Sequence, residues 1–225
     1  MRTNIEYQLP ELLSLKGSCV AKINSSQWGV FAKPIAVVKT CDPIEIGKCF
    51  RLIEKKNHSG LFCVMFLSFE SSPSFDPALK VKKIKNFPLL WAALFKKPCC
   101  LLKYENVPDA KEFSVKTRPE ISETEYKKAI TRIKKYIKDG DSYQVNFTFR
   151  IKGTTQINPP ELFLNLFKTQ KPAYGAFINT GDFYVISMSP ELFLQKISST
   201  IISEPMKGTI ARKPLYNDDL KQKQI

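Results

Sequence analysis

Two consecutive hairpin patterns near the end of the chain constrain its fold more than any other feature. In residues 173–188 the runs AYGAFI and FYVISM flank the turn sequence NTGD, and in residues 189–206 the runs SPELFLQKI and IISEPM flank SST. Short strand-forming runs joined by a few turn residues are typical of antiparallel pairing, because parallel strands need a long crossover. The sequence therefore predicts antiparallel hairpins here.

Three helix patterns accompany these strands. Residues 122–140 offer Ser122 and Glu125 as a capping box and Gly140 as the stop. Asn158 begins a second pattern, and Asp42 begins a third, each followed by proline at the first helical turn. Further strand runs occupy 28–38, 61–69 and 87–95. Because strands and helices do not alternate as βαβ units, we predict an α+β fold with largely antiparallel sheets.

The segment DSYQVNFTFR, residues 141–150, changes from the helical period to a period of two. This alternation predicts an amphipathic strand, with Tyr143, Val145, Phe147 and Phe149 on one face. Two interpretations of this predicted strand remain open. Tyr143 and Asn146 line a site, or the strand simply builds the sheet.

The formal net charge of +14 raises the possibility of a nucleic-acid-binding module. Only six of the 35 basic residues are arginine, the usual base-reading and phosphate-binding residue, and no nucleic-acid-binding motif accompanies the charge. We therefore favour a lysine-rich solvated surface that helps to attract anionic substrates, with no nucleic-acid partner.

The apolar runs are too short for a membrane span. Even a long apolar run such as residues 61–67 covers only seven residues, and the first residues lack the continuous apolar core of a signal peptide. The expectation is a cytoplasmic protein without a membrane partner.

Six cysteines and one histidine limit the possible chemistry. No CxxC pair occurs, so we predict reduced, mostly buried thiols and no metal site formed by these residues. His58 is the single histidine, so a Ser-His or Cys-His triad would have to use it.

Three segments in order carry a family resemblance: DGDSYQVNFTFR (139–150), SMSPELFL (187–194) and SEPMKGTIAR (203–212). They resemble the chorismate-utilising enzymes, most closely the aminodeoxychorismate synthase component I branch. Residues 60–79 and 88–95 resemble the amino-terminal region of that family. The resemblance implies the amino-terminal half of a β/α/α/β sandwich and a role in para-aminobenzoate and folate synthesis.

The resemblance also implies roles for individual residues. Lys207 matches the lysine that attacks C2 of chorismate, where anthranilate and isochorismate synthases carry alanine, and Glu191 matches the acid–base glutamate. Gly208 and Thr209 match the pair that contacts substrate, and Arg212 adds positive charge nearby. In the reaction that the resemblance implies, the C4 hydroxyl leaves as Lys207 attacks, and ammonia then enters at C4 and expels the lysine. The alternatives for Lys207 are a surface lysine or a salt bridge to Glu204, and the alternative for Glu191 is a carboxylate at the edge of a strand.

A nucleophilic lysine must be neutral. At an ordinary pKa of about 10.4, on the order of one amine in a thousand is neutral near pH 7, a handicap of roughly 4 kcal/mol. We expect the apolar neighbours Met206 and Ile210 to bury Lys207 and so favour the neutral amine.

Relatives continue well beyond the KGT motif, through glutamates that bind Mg²⁺. Residues 1–225 are therefore expected to be a truncated amino-terminal portion of one domain, with a strand-rich region at 1–118 and the start of the catalytic core at 119–225. Residues 1–225 alone are expected to be inactive, and in the complete enzyme a glutaminase is expected to supply ammonia. A noncatalytic binding fragment and another chorismate-utilising activity remain alternatives.

Overall fold

The computed structural model of the chain describes residues 9–24, 26–82, 84–108 and 112–206. These residues form two compact units. The described residues below 109 and above 162 make up the first unit, and residues 112–162 make up the second. The boundary that the sequence suggests after residue 118 lies inside the second unit and stays a prediction about the family domain.

Helices and antiparallel strands make up both units. In chain order the described helices and strands are α1 (Leu9–Ser14), β1 (Cys19–Lys22), β2 (Trp28–Phe31), β3 (Ala36–Thr40), α2 (Ile46–His58), β4 (Phe62–Leu67), β5 (Leu90–Phe95), β6 (Cys100–Leu102), β7 (Lys116–Pro119), α3 (Glu123–Asp139), β8 (Ile151–Thr154), α4 (Pro159–Gln170), β9 (Tyr174–Asn179), β10 (Tyr184–Ser189), β11 (Leu192–Ile197) and β12 (Thr200–Glu204). The described strand pairs are antiparallel. The predicted α+β class is confirmed.

Two sheets pack against each other in the first unit. One has the strand order β10-β9-β1-β2-β6 and the other has the order β3-β5-β4. Phe31 and Ile178 of the five-stranded sheet pack with Trp91 and Phe95 of the three-stranded sheet in one buried cluster. Strand β5 is buried along its whole length, which explains its continuous apolar run LWAALF.

Helices cover the outer faces of both sheets. Leu13 of α1 and Phe163 and Phe167 of α4 pack with Phe177 of the five-stranded sheet. On the three-stranded sheet, Ile53 of α2 packs against Leu90 and Ala92. The first unit is therefore layered helix, sheet, sheet, helix, and this frame carries the hairpin β11–β12 that follows β10.

Asn179 joins the five-stranded sheet to helix α1. Its side-chain amide donates to the carbonyl oxygens of Leu13, Ser14 and Leu15 at 3.1, 3.1 and 3.0 Å. These carbonyls lie at the helix end, where the last turn lacks intrahelical donors. Its carbonyl oxygen Oδ1 accepts from the N–H of Gly181 at 2.9 Å, so one buried side chain also stabilises the β9–β10 turn.

The predicted helix caps are confirmed. In the second unit, Ser122 Oγ accepts from the N–H of Glu125 at 3.2 Å, and Glu125 Oε2 accepts from the N–H of Ser122 at 2.8 Å. Gly140 ends α3 with a φ of +84°, a conformation that glycine adopts readily. Asn158 accepts a backbone hydrogen bond at the start of α4, and Asp42 accepts one at the start of the 3-10 turn Pro43–Glu45, which leads into α2.

The predicted strand at residues 141–150 is wrong. Residues 143–150 belong to no strand, and the strand of this region is β8, which pairs with β7. Strand β7 ends at Pro119, opposite Ile151, and beyond this pair the Glu120 N–H donates to the Arg150 carbonyl oxygen at 2.9 Å. No described strand pairs with residues 143–149. The rings of Phe147 and Phe149 instead pack near Tyr126 of α3, with centroids 5.9 and 5.8 Å away.

The prediction of mostly buried thiols is also wrong. All six cysteines are free, and only Cys19 is fully buried. Cys41 and Cys99 are exposed because they lie in the connections that follow β3 and precede β6. No helix among the described residues is long and apolar enough to cross a bilayer.

Candidate functional site

The hairpin β11–β12 carries the glutamate that the sequence singles out. Leu192 pairs with Glu204, and Ile197 pairs with Thr200 beside the turn. The register shifts between Leu192 and Gln195, a bulge that bends the first strand near Glu191. Leu192 is buried and Ile202 is half-buried, whereas Phe193 and Ile201 are largely exposed, so few side chains anchor the hairpin.

A local turn fixes the backbone at Glu191. Ser189 Oγ accepts from the N–H of Glu191 at 3.2 Å and donates to the Glu191 carbonyl oxygen at 3.0 Å. Pro190 lies between them and limits the backbone further. The sequence analysis missed Ser189, although a serine two residues before a key position is a recognisable turn signal.

The Glu191 side chain reaches across the open end of the hairpin. Its Oε1 atom accepts a hydrogen bond from the backbone N–H of Met206 at 3.0 Å. Met206 is the residue directly before Lys207. The hairpin therefore brings the predicted acid–base carboxylate to the start of the KGT motif, and a main-chain donor orients it.

The other predicted site residues, Lys207, Gly208, Thr209 and Arg212, lie outside the described residues, as does Ile210. Their shared site with Glu191 stays a prediction. The described structure supplies the position of Glu191 and of the residue preceding the lysine.

Met206 is the described member of the predicted apolar shield. Its side chain is 50% exposed. The burial of Lys207 by Met206 and Ile210 stays a prediction, because Lys207 and Ile210 lie outside the described residues.

A tyrosine of the five-stranded sheet contacts the hairpin. Tyr174 OH lies 3.4 Å from Glu204 Oε2 on β12. Lys22 of β1 supports this tyrosine, because its Nζ lies 4.3 Å from the ring centroid and donates to the carbonyl oxygen of Ala173 at 2.8 Å. Lost hydration and the neighbouring Glu204 raise the pKa of the Tyr174 phenol, so its O–H stays protonated near neutral pH. Sequence reasoning missed these long-range contacts, which no local motif signals.

A metal site is not found among the described residues. No group of three or more histidine, cysteine, aspartate or glutamate side chains is arranged to hold a metal ion there. His58 ends helix α2 and is exposed.

The chain matches known proteins along most of its length. The family model for chorismate binding enzyme matches residues 25–225. Aminodeoxychorismate synthase component 1 of Bacillus subtilis is 31% identical over 98 residues, which are 44% of this chain and 21% of that protein. The Klebsiella aerogenes protein of the same name is 31% identical over 125 residues, or 55% of this chain and 28% of that protein.

A relative with a different name matches a longer stretch. The probable anthranilate synthase component 1 of Schizosaccharomyces pombe is 27% identical over 176 residues, covering 71% of this chain and 36% of that protein. The matched stretches are thus well under half of each of these relatives. Since the family model extends over residues 25–225, the chain belongs to the family of chorismate binding enzymes.

Proposed function

We propose that this chain acts in the amination of chorismate, as part of an enzyme of the aminodeoxychorismate synthase component 1 type. The observation that carries the proposal is the bond from Met206 N–H to Glu191 Oε1, which brings a carboxylate to the residue before Lys207. An acid at Glu191 and an amine at Lys207, the residue that follows Met206 in the sequence, would together suit a substitution in which hydroxide must leave. Relatives of that name support the assignment.

The chemistry assigns complementary tasks to these two side chains. The neutral Lys207 amine attacks C2 of the chorismate ring, both ring double bonds shift, and the C4–O bond breaks, which leaves the lysine nitrogen bound to C2 as an ammonium. Hydroxide is a poor leaving group, so Glu191 donates a proton and water departs. Ammonia then attacks C4, both double bonds shift back, and the lysine nitrogen keeps its proton and leaves as a neutral amine. The new ammonium at C4 returns one proton to Glu191.

Two further components belong to the proposal. The relatives are named component 1, which implies a component 2, and we propose a glutaminase in that role. At neutral pH most free ammonia is protonated to ammonium, which is not nucleophilic, so a source that releases NH₃ at the site is needed. We also propose Mg²⁺ as the cofactor, which would supply charge neutralisation for a carboxylate of the substrate. Its ligands would come from outside the described residues.

Anthranilate synthesis is the second candidate function. The match to the Schizosaccharomyces pombe protein, over 71% of this chain, favours it. The resemblance separates the two activities at one position, because aminodeoxychorismate synthases carry lysine where anthranilate synthases carry alanine. Lys207 therefore favours amination at C4.

The test is product identity in the full-length protein that contains this chain. Chorismate, Mg²⁺ and ammonium would be supplied, and chromatography would separate 4-amino-4-deoxychorismate from anthranilate. We expect the first product from the unsubstituted protein and none from Lys207→Ala. Lys196→Ala, which changes an exposed lysine of the same hairpin, is the matched control and should keep the activity. Anthranilate as the main product, or full activity in Lys207→Ala, would contradict the proposal.

A further inference from the structure

Few described contacts hold the hairpin that carries Glu191. Within the described residues, β11 and β12 pair only with each other. An isolated two-stranded hairpin is marginally stable at best in water. Leu192 packs at one end, but most side chains along both strands are exposed. The direction of the hairpin therefore depends strongly on the few further contacts that it makes with the five-stranded sheet.

Tyr174 provides such a contact. It begins β9 in the five-stranded sheet, and its O–H faces Glu204 Oε2 at 3.4 Å. Glu204 pairs with Leu192, the residue after Glu191, and lies two positions before Met206. A displacement of Glu204 would therefore move Glu191 through the Leu192–Glu204 pair, and would move Met206 through Pro205.

Lys22 holds Tyr174 in place from the neighbouring strand. Its ammonium lies over one face of the tyrosine ring and also donates a hydrogen bond to the carbonyl oxygen of Ala173. Lys22 therefore restrains both the ring of Tyr174 and the backbone directly before it. The Tyr174 phenol thus lies between a cation, Lys22, and a carboxylate, Glu204.

A cleft beside Lys22 and Tyr174 shows why a contact that limits movement of the hairpin matters. A cleft of about 750 Å³ lies between Lys22 and Tyr174 on one side and Leu194 and Lys196 of β11 on the other. A cleft of this size gives the hairpin room to tilt toward the sheet. Displacements of about 1 Å at a reactive group can cost roughly a hundredfold in rate.

We propose that Tyr174 is a positioning residue, which holds β12 through Glu204 so that Glu191 stays against the Met206 N–H. The link to catalysis rests on the proposed function, but the restraint itself does not. In this role the five-stranded sheet would limit the movement of the Glu191 carboxylate through Tyr174 and Glu204, and Lys22 would support the tyrosine.

The restraint is tested by hydrogen exchange of individual amides in the full-length protein. The Met206 amide reports directly on its bond to Glu191. Tyr174→Phe removes the hydroxyl and keeps the ring over Lys22, so we expect Met206 protection to fall about 3–10-fold, as for loss of a modest hydrogen bond. Tyr184→Phe, on adjacent strand β10, is the matched control and should leave Met206 unchanged.

Two further measurements separate positioning from general destabilisation. The amide of Ala93 in buried strand β5 should keep its protection in Tyr174→Phe. Glu204→Ala should lower Met206 protection similarly, and the double variant should lose no more than either single one, since both remove the same contact. Unchanged Met206 protection, or an equal loss at Ala93, would overturn the proposal.

Kinetics then decide the catalytic consequence. In Tyr174→Phe we expect kcat for amination to fall by about 3–10-fold while KM changes by less than about twofold, because the substrate contacts are intact. An unchanged kcat beside weakened Met206 protection would overturn the positioning role. Failure of the unsubstituted protein to aminate chorismate would refute the proposed function, whereas amide exchange would still decide the restraint.

Discussion

Glu191 and Met206 are 15 positions apart, and the carboxylate of the first accepts a 3.0 Å hydrogen bond from the backbone N–H of the second. The strand pair Leu192–Glu204 holds the two residues at the same end of the hairpin. Because the donor belongs to the main chain, substitution of the Met206 side chain preserves the bond unless the new residue is proline.

Replacing Met206 with proline should therefore weaken catalysis. Met206→Pro removes the N–H, and we expect kcat to fall by about 10-fold or more as Glu191 loses its orientation. Met206→Leu keeps the N–H and a similar volume, and should stay within about twofold of the unsubstituted protein. Steady-state kinetics with chorismate and ammonium would measure both. Equal losses in the two variants would show that the side chain matters and the N–H does not.

Replacing Glu191 with glutamine should remove proton transfer and keep the shape. The amide oxygen of the substituted side chain can still accept from Met206, but no acidic proton is available for the C4 oxygen. We expect kcat to fall by about 10²–10⁴-fold with little change in KM. Glu204→Gln, which changes a second carboxylate of the hairpin, should cost far less. Unchanged turnover in Glu191→Gln would leave Glu191 with a structural role only.

Replacing Asn179 should destabilise the first unit. Asn179→Ala leaves the carbonyl oxygens of Leu13, Ser14 and Leu15 without this donor, at a cost of about 1–3 kcal/mol in the free energy of unfolding. Asn179→Asp should also destabilise, because it replaces the amide donors with an anion facing the same carbonyls. Asn24→Ala, on the surface, should stay within about 0.5 kcal/mol. Urea unfolding would measure all three, and an unaffected Asn179→Ala would remove Asn179 from the helix anchor.

Thiol labelling should follow burial. Cys41 and Cys99 are exposed and should react first with iodoacetamide at pH 7. Burial raises the pKa of Cys63 to about 11 and raises that of Cys19 also. Since the thiolate is the nucleophile, labelling of Cys63 should keep accelerating as the pH rises toward 11. Peptide mass spectrometry would map the modified residues. Labelling of Cys19 as fast as Cys41 in the folded protein would contradict the buried environment.

The local elements of this chain follow from its sequence. The Ser122–Glu125 capping box, the Gly140 stop and both hairpins near the end are encoded within a few consecutive residues each. The same holds for the family resemblance, which depends on short motifs such as SPELFL and PMKGT. Such signals survive without knowledge of the rest of the fold, because the interacting groups are neighbours in the chain.

Alternation alone failed at residues 143–150. A period of two predicts a strand, but a strand also needs a partner with available N–H and C=O groups. The neighbouring strand β7 ends at Pro119, and the rings of Phe147 and Phe149 pack near Tyr126 instead. The residues of the segment itself do not determine where the β7–β8 pairing ends or where helix α3 lies.

The sequence by itself determined the helix caps, the hairpins, the α+β class and Glu191 as a candidate residue. Only the tertiary structure decided which residues hold that glutamate and its hairpin: Met206 through its main chain, and Tyr174 through Glu204. Asn179 and helix α1 likewise meet only in the folded chain. The physical reason is distance along the chain: hydrogen bonds between residues far apart in sequence depend on how the sheets and helices pack, which no local pattern specifies.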